Sequence, residues 1–234
     1  MLELREVHSL YGSALVLQGV SLAVPERAVV ALLGRNGMGK TTLIRSIMGF
    51  AQPRVSAGTI RYRDHSLVGR SPHAIARLGI GLVPQGRRLF GSLTVVEHLS
   101  LLSPRRLAKG DWSLERIFAL FPALADRRRH RASQLSGGER QMLAIGRALM
   151  TSPSLLLMDE PSEGLSPVMV QHLEGIVRSL TGVGLAILLV EQNLHSALSS
   201  ADEVYLIENG RIVYRDKPDR LRNERETLRR YLGV

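Results

Sequence analysis

The sequence has no cysteine in its 234 residues, which excludes disulfide bonds and cysteine metal sites. Aromatic residues are only 4% of the chain and do not alternate with its arginines, so we do not expect a stacking platform for single-stranded nucleic acid. No apolar run approaches the ~18 residues of a membrane-spanning helix, and the charged first residues do not resemble a secretory signal. These absences predict a soluble, cytosolic chain whose fold depends on a hydrophobic core.

Much of the formal net charge of +10 comes from arginines at residues 127–131 and 220–230. We interpret these runs first as a solvated face, second as a surface for a partner or lipid, and third as a nucleic-acid site. The length allows one large α/β domain, or such a domain with a smaller helical insertion.

Residues 34–41 have the spacing G-x-x-x-x-G-K-[ST] of a phosphate-binding loop. The apolar run Val29–Leu33 before it suits a buried parallel strand, and residues 42–50 after it suit a helix. We expect Lys40 to reach the β and γ phosphates of a nucleotide and the Thr41 hydroxyl to hold Mg²⁺. The alternative is a glycine-rich turn with an incidental lysine, but the chain has only three lysines, so a chance match is rare.

The N-terminal pattern is that of strands. Alternating apolar residues over 2–24 and a short strand at 59–63 predict an antiparallel sheet beside the loop. A helix is predicted to begin at Ser71 and the proline after it, to end before Gly79, and to be followed by a strand at 80–83.

From residue 86 to about residue 150 the pattern is helical, beginning with a capping box at Thr94 and Glu97. The apolar helical faces carry Trp112, Ile117, Phe118 and Phe121, ended by Pro122, and then Met142, Ile145 and Leu149. We interpret these aromatic residues and methionines as core rather than as a ligand cage.

Strands resume at residues 155–158 and 185–190, with a helix between them that starts at Ser166 and Pro167. Apolar strands that alternate with amphipathic helices predict a parallel sheet covered on both faces. Residues 204–214 predict a hairpin with an Asn-Gly turn, and the charged end at 216–234 predicts a surface helix.

Two short stretches carry further chemistry. Asp159 and Glu160 follow an apolar strand, which is where an α/β sheet places its ligand groups, although such a pair can also cap the next turn. Residues 135–141 contain Ser136 and two glycines before a helix, which gives a second anion-binding helix end, although Ser-Gly-Gly is usually a loop.

Together, residues 34–42, 135–141 and 155–160 resemble the phosphate loop, the signature and the carboxylate strand of the ATP-binding cassette (ABC) ATPases, in that order. The resemblance covers essentially the whole chain. It implies an α/β fold, a P-loop NTPase with a parallel-sheet core, an N-terminal antiparallel β subdomain and an inserted α-helical subdomain. It also implies one ABC ATPase domain over 1–234, in which residues 1–85 and 151–234 form the nucleotide-binding core and residues 86–150 form the helical insertion.

The resemblance implies a role for each matching residue, with ATP and Mg²⁺ as the ligands. The implied nucleotide-binding residues are Tyr11, which stacks on adenine, and Gly34, Arg35, Asn36, Gly37, Met38, Gly39, Lys40, Thr41 and Thr42. The implied metal residues are Thr41, Gln85 and Asp159, and the implied catalytic residues are Glu160 as general base, Lys40 and Gln192. The implied signature residues are Ser136, Gly137, Gly138 and Glu139, which contact ATP bound to a second cassette.

Two positions depart from the family pattern. Gln192 stands where most members have a histidine, and a glutamine can hydrogen-bond a γ phosphate but cannot become a cation near pH 7. Ser166 stands where an aspartate is usual, so the coupling of the two ATP sites is in doubt. The hydrolysis machinery itself matches the family.

The short sequences around Arg35, Arg87, Glu163 and Gln192 look most like those of the branched-chain amino acid importer ATPases; urea and amide importers are similar. The implied partners are a second cassette, identical or different, membrane permeases on separate chains, and indirectly a periplasmic binding protein, at the inner face of the plasma membrane. A groove lined by Arg87, Leu89 and Phe90 is expected to receive a permease helix. An exporter ATPase and a non-transport, nucleic-acid-associated cassette are the other readings.

Overall fold

The computed structural model describes residues 1–101 and 112–233, and this part of the chain forms two β-sheets surrounded by helices. The strands are β1 (Leu2–Tyr11), β2 (Ala14–Val24), β3 (Val29–Leu33), β4 (Arg54–Tyr62), β5 (His65–Ser66), β6 (Ile80–Val83), β7 (Leu155–Asp159), β8 (Ala186–Glu191), β9 (Glu203–Glu208) and β10 (Arg211–Asp216). The smaller sheet is antiparallel with the order β2-β1-β4-β5, which confirms the predicted N-terminal sheet. The larger sheet has the order β10-β9-β3-β8-β7-β6; its strands are parallel except for β10.

The helices are α1 (Lys40–Ile47), α2 (Pro72–Arg77), α3 (Val95–Ser100), α4 (Leu114–Leu120), α5 (Pro122–Asp126), α6 (Gly137–Leu149), α7 (Pro167–Gly182), α8 (Leu194–Ser200), α9 (Pro218–Asn223) and α10 (Arg225–Tyr231). Six of the ten described helices, α2, α3, α4, α6, α7 and α8, begin after a Ser, Thr or Asn whose side chain caps the helix. A short 3-10 helix, Ala132–Gln134, precedes α6. The helices α3 to α6 lie between β6 and β7 in the chain, and we call them the helical segment. No helix in the two described ranges is long and apolar enough to cross a membrane.

The parallel sheet is buried on both faces. Every residue of β3, β7 and β8 is buried, and alternate residues of β8 belong to different apolar clusters. Ile187 and Leu189 pack with α6 and α7, while Leu188 and Val190 pack with α1 and the smaller sheet. Burying each such side chain contributes about 1.5–3 kcal/mol. The carboxyl ends of these strands are therefore held firmly where the candidate site lies.

Three details differ from the sequence predictions. Trp112 lies before α4 instead of on its apolar face, and Pro122 begins α5 as well as following α4. The predicted C-terminal surface helix is instead the end of β10 followed by α9 and α10. Pro218, which lacks an N–H donor, fits the first turn of α9 and explains why the helix starts there.

The predicted β9–β10 hairpin is confirmed. Asn209 and Gly210 both have a positive φ, 48° and 74°, as a two-residue hairpin turn requires. The capping box at Thr94 and Glu97 is also present, at the start of α3.

Candidate functional site

The predicted phosphate loop lies where β3 meets α1, at the carboxyl end of the parallel strands. Gly39, the residue before α1, has a φ of 104°, which residues with side chains rarely adopt. A Cβ atom at Gly34 would lie 2.6 Å from the carbonyl oxygen of Ile207. Both glycines are therefore required by the path of the backbone itself.

A cavity of about 260 Å³ opens over this loop and gathers residues from the loop, from the end of β6 and from the end of β7. Its lining residues are Asn36, Gly37, Gly39, Lys40, Thr41, Thr42, Gln85 and Glu160. Backbone N–H groups at the start of α1 and the Lys40 ammonium supply positive potential, which suits a phosphate ligand. The structure thus places most of the expected nucleotide residues around one cavity.

Lys40 is 4% exposed, and its ammonium group bonds to oxygen atoms of three residues. It donates to the carbonyl oxygens of Gly34 at 2.7 Å and Arg35 at 3.1 Å, and it pairs with Glu160 at 2.9 Å from Nζ to Oε1. A charge buried to this extent requires such partners. The loop carbonyls and Glu160 therefore fix the ammonium at the wall of the cavity.

Asp159 is buried at the end of β7 beside Thr41, whose hydroxyl donates to Asp159 Oδ1 at 3.2 Å. Burial raises the pKa of the Asp159 carboxyl from 3.8 to about 6; the hydrogen bond from Thr41 acts against this shift, and the charge of Glu160 adds to it. A nearby cation would offset the cost of ionising this carboxyl. The two oxygen groups therefore fit Mg²⁺, which takes one or two carboxylates from a protein and further oxygens from phosphates. The described residues contain no cluster of three or more histidine, aspartate or glutamate side chains that could hold a metal ion.

Glu160 follows β7 in a left-handed conformation, with a φ of 48°, and its N–H donates to the carbonyl of Val190 on β8. This geometry turns its side chain toward Lys40 and Gln85. The amide Nε2 of Gln85 donates to Glu160 Oε2 at 3.2 Å and to Glu163 Oε2 at 3.1 Å. The structure therefore adds Glu163, a residue to which the sequence assigned no site role.

Gln192 lies in an adjoining cavity of about 310 Å³, which shares Glu160 with the first cavity and is also lined by Glu163. Its neighbour Glu191 is buried and accepts hydrogen bonds from the Ser162 N–H and hydroxyl at 3.0 and 2.8 Å and from the Gln192 N–H at 3.2 Å. Burial raises the pKa of Glu191, and these hydrogen bonds act against the rise. Sequence reasoning missed Glu191, although it ends an apolar strand just as Asp159 does, and that signal could have identified it.

Four of the ten predicted nucleotide-binding residues are not in the described lining of the 260 Å³ cavity: Tyr11, Gly34, Arg35 and Met38. Tyr11 ends β1 opposite Ala14, and Arg35 is exposed; neither is among the lining residues that the structure describes. Met38 is held by the hairpin turn, since its carbonyl accepts from the Gly210 N–H at 3.0 Å and its sulfur from the Asn209 N–H at 3.3 Å.

The signature residues form the first turn of α6. The Ser136 hydroxyl accepts from the Glu139 N–H at 3.2 Å, and the Glu139 carboxylate accepts from the Ser136 N–H at 2.7 Å, which is a complete capping box. A Cβ at Gly138 would lie 2.6 Å from the Met169 side chain, whereas a Cβ at Gly137 would meet nothing closer than 3.9 Å. In the described part of the chain, none of these residues lines the cavity at Lys40.

A groove of about 340 Å³ lies between the end of β6 and the helical segment. Phe90 and Leu101 line it and are 59% and 53% exposed. Of the three residues expected in a permease groove, only Phe90 is in its lining. Arg87 instead bonds to Gln141 and Glu163, and Leu89 packs against the apolar core.

The sequence model of the ABC transporter family matches residues 17–163 of this chain. The branched-chain amino acid transport ATP-binding protein BraG of Pseudomonas aeruginosa is 43% identical over 235 residues, covering 100% of both chains. The branched-chain amino acid transport ATP-binding protein LivG of Salmonella typhimurium is 31% identical over 246 residues, covering 95% of this chain and 94% of LivG. A solved nucleotide-free ATP-binding cassette from an ABC transporter superposes with a TM-score of 0.83 at 27% identity, covering 95% and 94% of the two chains. A solved structure of the ADP conformation of an ATP-binding cassette of an ABC transporter superposes with a TM-score of 0.81 at 28% sequence identity, covering 95% of this chain and 93% of that chain.

Proposed function

Because this chain belongs to the ABC transporter family and is an ATPase of that family, we propose that it energises an importer for branched-chain amino acids. The observation that supports this proposal most is the 43% identity with BraG, which extends over the complete length of both chains. The LivG relatives are a second set of proteins named for the transport of branched-chain amino acids. The cavity of such a cassette holds nucleotide and does not contact the solute. The assignment of branched-chain amino acids as the solute therefore depends on these relatives alone.

In the proposed site, Lys40 and the backbone N–H groups of the phosphate loop hold the β and γ phosphates of ATP. Thr41 and Asp159 would hold Mg²⁺, with Gln85 beside them, and the ion would supply positive charge to the phosphate oxygens. Glu160 accepts a proton from the attacking water, and Gln192 hydrogen-bonds the γ phosphate. Tyr11 stacks on the adenine.

We also propose that the first turn of α6 acts on ATP held by a second cassette. Ser136 is exposed and Gly137 is partly exposed, and neither is in the described lining of the chain's own cavity. Their hydroxyl and N–H groups can face a γ phosphate presented by another subunit, identical or different. The helical insertion of residues 86–150 would then be the part that carries this contact, and residues 1–85 and 151–234 the part that binds ATP.

The remaining partners are membrane permeases on separate chains and, through them, a periplasmic binding protein. The exposed apolar side chains of Phe90 and Leu101 in the 340 Å³ groove support a docking site for a permease helix. The chain would then lie at the cytoplasmic face of the plasma membrane. Aromatic residues are only 4% of the chain and do not alternate with its arginines, so nucleic acid is not among the proposed partners.

Uptake by cells that lack this chain tests the function directly. Deleting its gene should reduce the uptake of labelled leucine, isoleucine and valine, and a plasmid copy of the chain should restore it. A Lys40→Ala copy should fail, because it lacks the ammonium at the cavity wall. A Lys217→Ala copy is the matched control, since that lysine is exposed and is not in the described cavity lining. Unchanged uptake of all three amino acids after deletion would contradict the proposal, and loss of urea uptake instead would favour an amide importer.

A further inference from the structure

The turn after Gln85 has an uncommon backbone. Gly86, Arg87 and Arg88 have φ values of 72°, 65° and 44°, and residues with side chains seldom adopt this region. Arg147 of α6 holds the turn, since its guanidinium donates to the carbonyl oxygens of Arg87 at 3.1 Å and Arg88 at 2.9 Å. Because such a backbone persists only where its surroundings fix it, the turn is tied to α6.

The side chain of Arg87 forms a second link from this turn. Its Nε donates to Oε1 of Gln141, a buried residue on α6, at 3.2 Å. A second nitrogen of the same guanidinium, Nη2, donates to the carbonyl oxygen of Glu163 at 3.1 Å. The planar guanidinium thus joins α6 to the loop that follows Glu160, an arrangement that the single ammonium of a lysine would not reproduce.

Glu163 continues these contacts as far as Glu160. Its carboxylate and that of Glu160 both accept from the same amide nitrogen of Gln85. Two acceptors beside one amide fix its orientation, since only the NH₂ group can donate. Hydrogen bonds therefore connect Gln141 to Glu160 by way of Arg87, Glu163 and Gln85; at Glu163 the connection passes from the backbone carbonyl to the side chain.

We propose that Arg87 is a positioning residue for ATP hydrolysis, which fixes the loop carrying Glu160 relative to α6. The inference rests on the role of general base proposed for Glu160. Arg87 is not among the described residues that line the nucleotide cavity, so it acts through Glu163 and Gln85. Its loss should therefore lower kcat and leave ATP binding unchanged.

The variant Arg87→Met keeps the apolar stem and removes both donors. We expect kcat to fall about tenfold, as for a misplaced catalytic group, while the Kd for ATP stays within about twofold. Hydrogen exchange of residues 160–166, measured without nucleotide, should become faster. Arg178→Met is the matched control, because Arg178 also donates through Nε and Nη2 to a carbonyl, that of Ser199, at a place away from the site. It should change neither kcat nor exchange in residues 160–166.

Adding Gln141→Leu to Arg87→Met should cause little further loss of kcat, because the two residues belong to the same link. If Arg87→Met does not fold, Arg87→Lys decides, since it keeps the charge but should show the same fall in kcat with wild-type stability. The inference would be overturned if a folded Arg87→Met protein had the wild-type kcat and the wild-type rate of hydrogen exchange. If Arg87→Met does not fold, the same result for Arg87→Lys would overturn it. Normal hydrolysis by Glu160→Gln would instead remove the proposed base, so the two failures are distinguishable.

Discussion

Two helix ends in this chain are suited to phosphate, but their free N–H groups are used differently. The N-terminus of α1 follows Gly39, which supplies no side-chain cap, and the buried Lys40 stands beside it. The N-terminus of α6 follows Ser136 and has a complete capping box with Glu139. The first end thus leaves its donors for a ligand, while the second has already satisfied two of them within the protein.

The difference indicates separate tasks for the two ends. The uncapped end at α1 is surrounded by Lys40, Asp159 and Glu160, so we expect it to provide most of the affinity for ATP. The capped end at α6 is stable without a ligand and faces outward, so we expect it to add contacts only when a second cassette arrives. The following predictions test this division.

The largest effect is expected from mixing two inactive proteins. Gly137→Asp should fold, because a Cβ there meets nothing within 3.9 Å and an acidic residue suits the first turn of a helix. Its carboxylate would repel the phosphates of ATP held by a partner, so hydrolysis should fall by ~10²-fold or more. Mixing it with Lys40→Ala should restore hydrolysis, since one of the two shared sites then has an intact loop and an intact signature. ATPase assays of the mixture and of each protein alone measure this.

The control for that experiment is Gly137→Ala, which adds the Cβ without the charge and should keep most of the activity. A mixture that stays as inactive as its components would show that the end of α6 serves the ATP of its own chain. The distinction drawn between the two helix ends would then be wrong.

The variant Glu160→Gln tests whether the α1 end binds ATP and hydrolyses it through separate groups. Turnover should fall by ~10²-fold or more, because the proposed general base is lost. ATP should bind more tightly, because Lys40 would no longer be paired with a carboxylate that competes with the triphosphate. Single-turnover hydrolysis and nucleotide titration separate the two effects. Weaker binding of ATP would contradict the view that Glu160 and ATP compete for the Lys40 ammonium.

The sequence was enough to identify the candidate residues at the α1 end, but not the contacts that join them to other parts of the fold. The loop at 34–41 and the pair Asp159 and Glu160 are contiguous patterns at strand ends, and chain-local chemistry is enough to find them. The bond from Gln85 to Glu163 depends on β6 lying next to β7, which is a property of the sheet order and not of any local pattern. The left-handed turn at Arg87 is held by Arg147, sixty residues later in the chain, and no local sequence signal announces it.

Asp159→Asn should stabilise the nucleotide-free protein at the α1 end. The pKa of Asp159 is raised to about 6, so between about pH 4 and 6 the folded protein holds a proton that the unfolded chain has lost. The free energy of unfolding therefore falls as pH rises through that window, and the cost remains at higher pH. Asparagine does not ionise and has no such cost. At pH 8 we therefore expect the free energy of unfolding of Asp159→Asn to exceed that of the wild type by roughly 1–3 kcal/mol, a difference that disappears toward pH 4. Urea unfolding at several pH values, without nucleotide or Mg²⁺, measures the gain; a less stable variant at pH 8 would contradict it.

The smallest effect concerns the cap of α6. Ser136→Ala removes the hydroxyl that accepts from the Glu139 N–H, and Thr94→Ala removes the equivalent acceptor for the Glu97 N–H at the start of α3. Each should lower the free energy of unfolding by about 1 kcal/mol, because each leaves one helix-end donor without its side-chain partner. Only Ser136→Ala should also reduce ATP hydrolysis, since only that hydroxyl is expected to face the nucleotide of a second cassette. Urea unfolding and ATPase assays of both variants compare the caps directly. If the two variants lost hydrolysis in proportion to stability alone, the end of α6 would be a well-capped helix and nothing more, and only the α1 end would remain as a phosphate site.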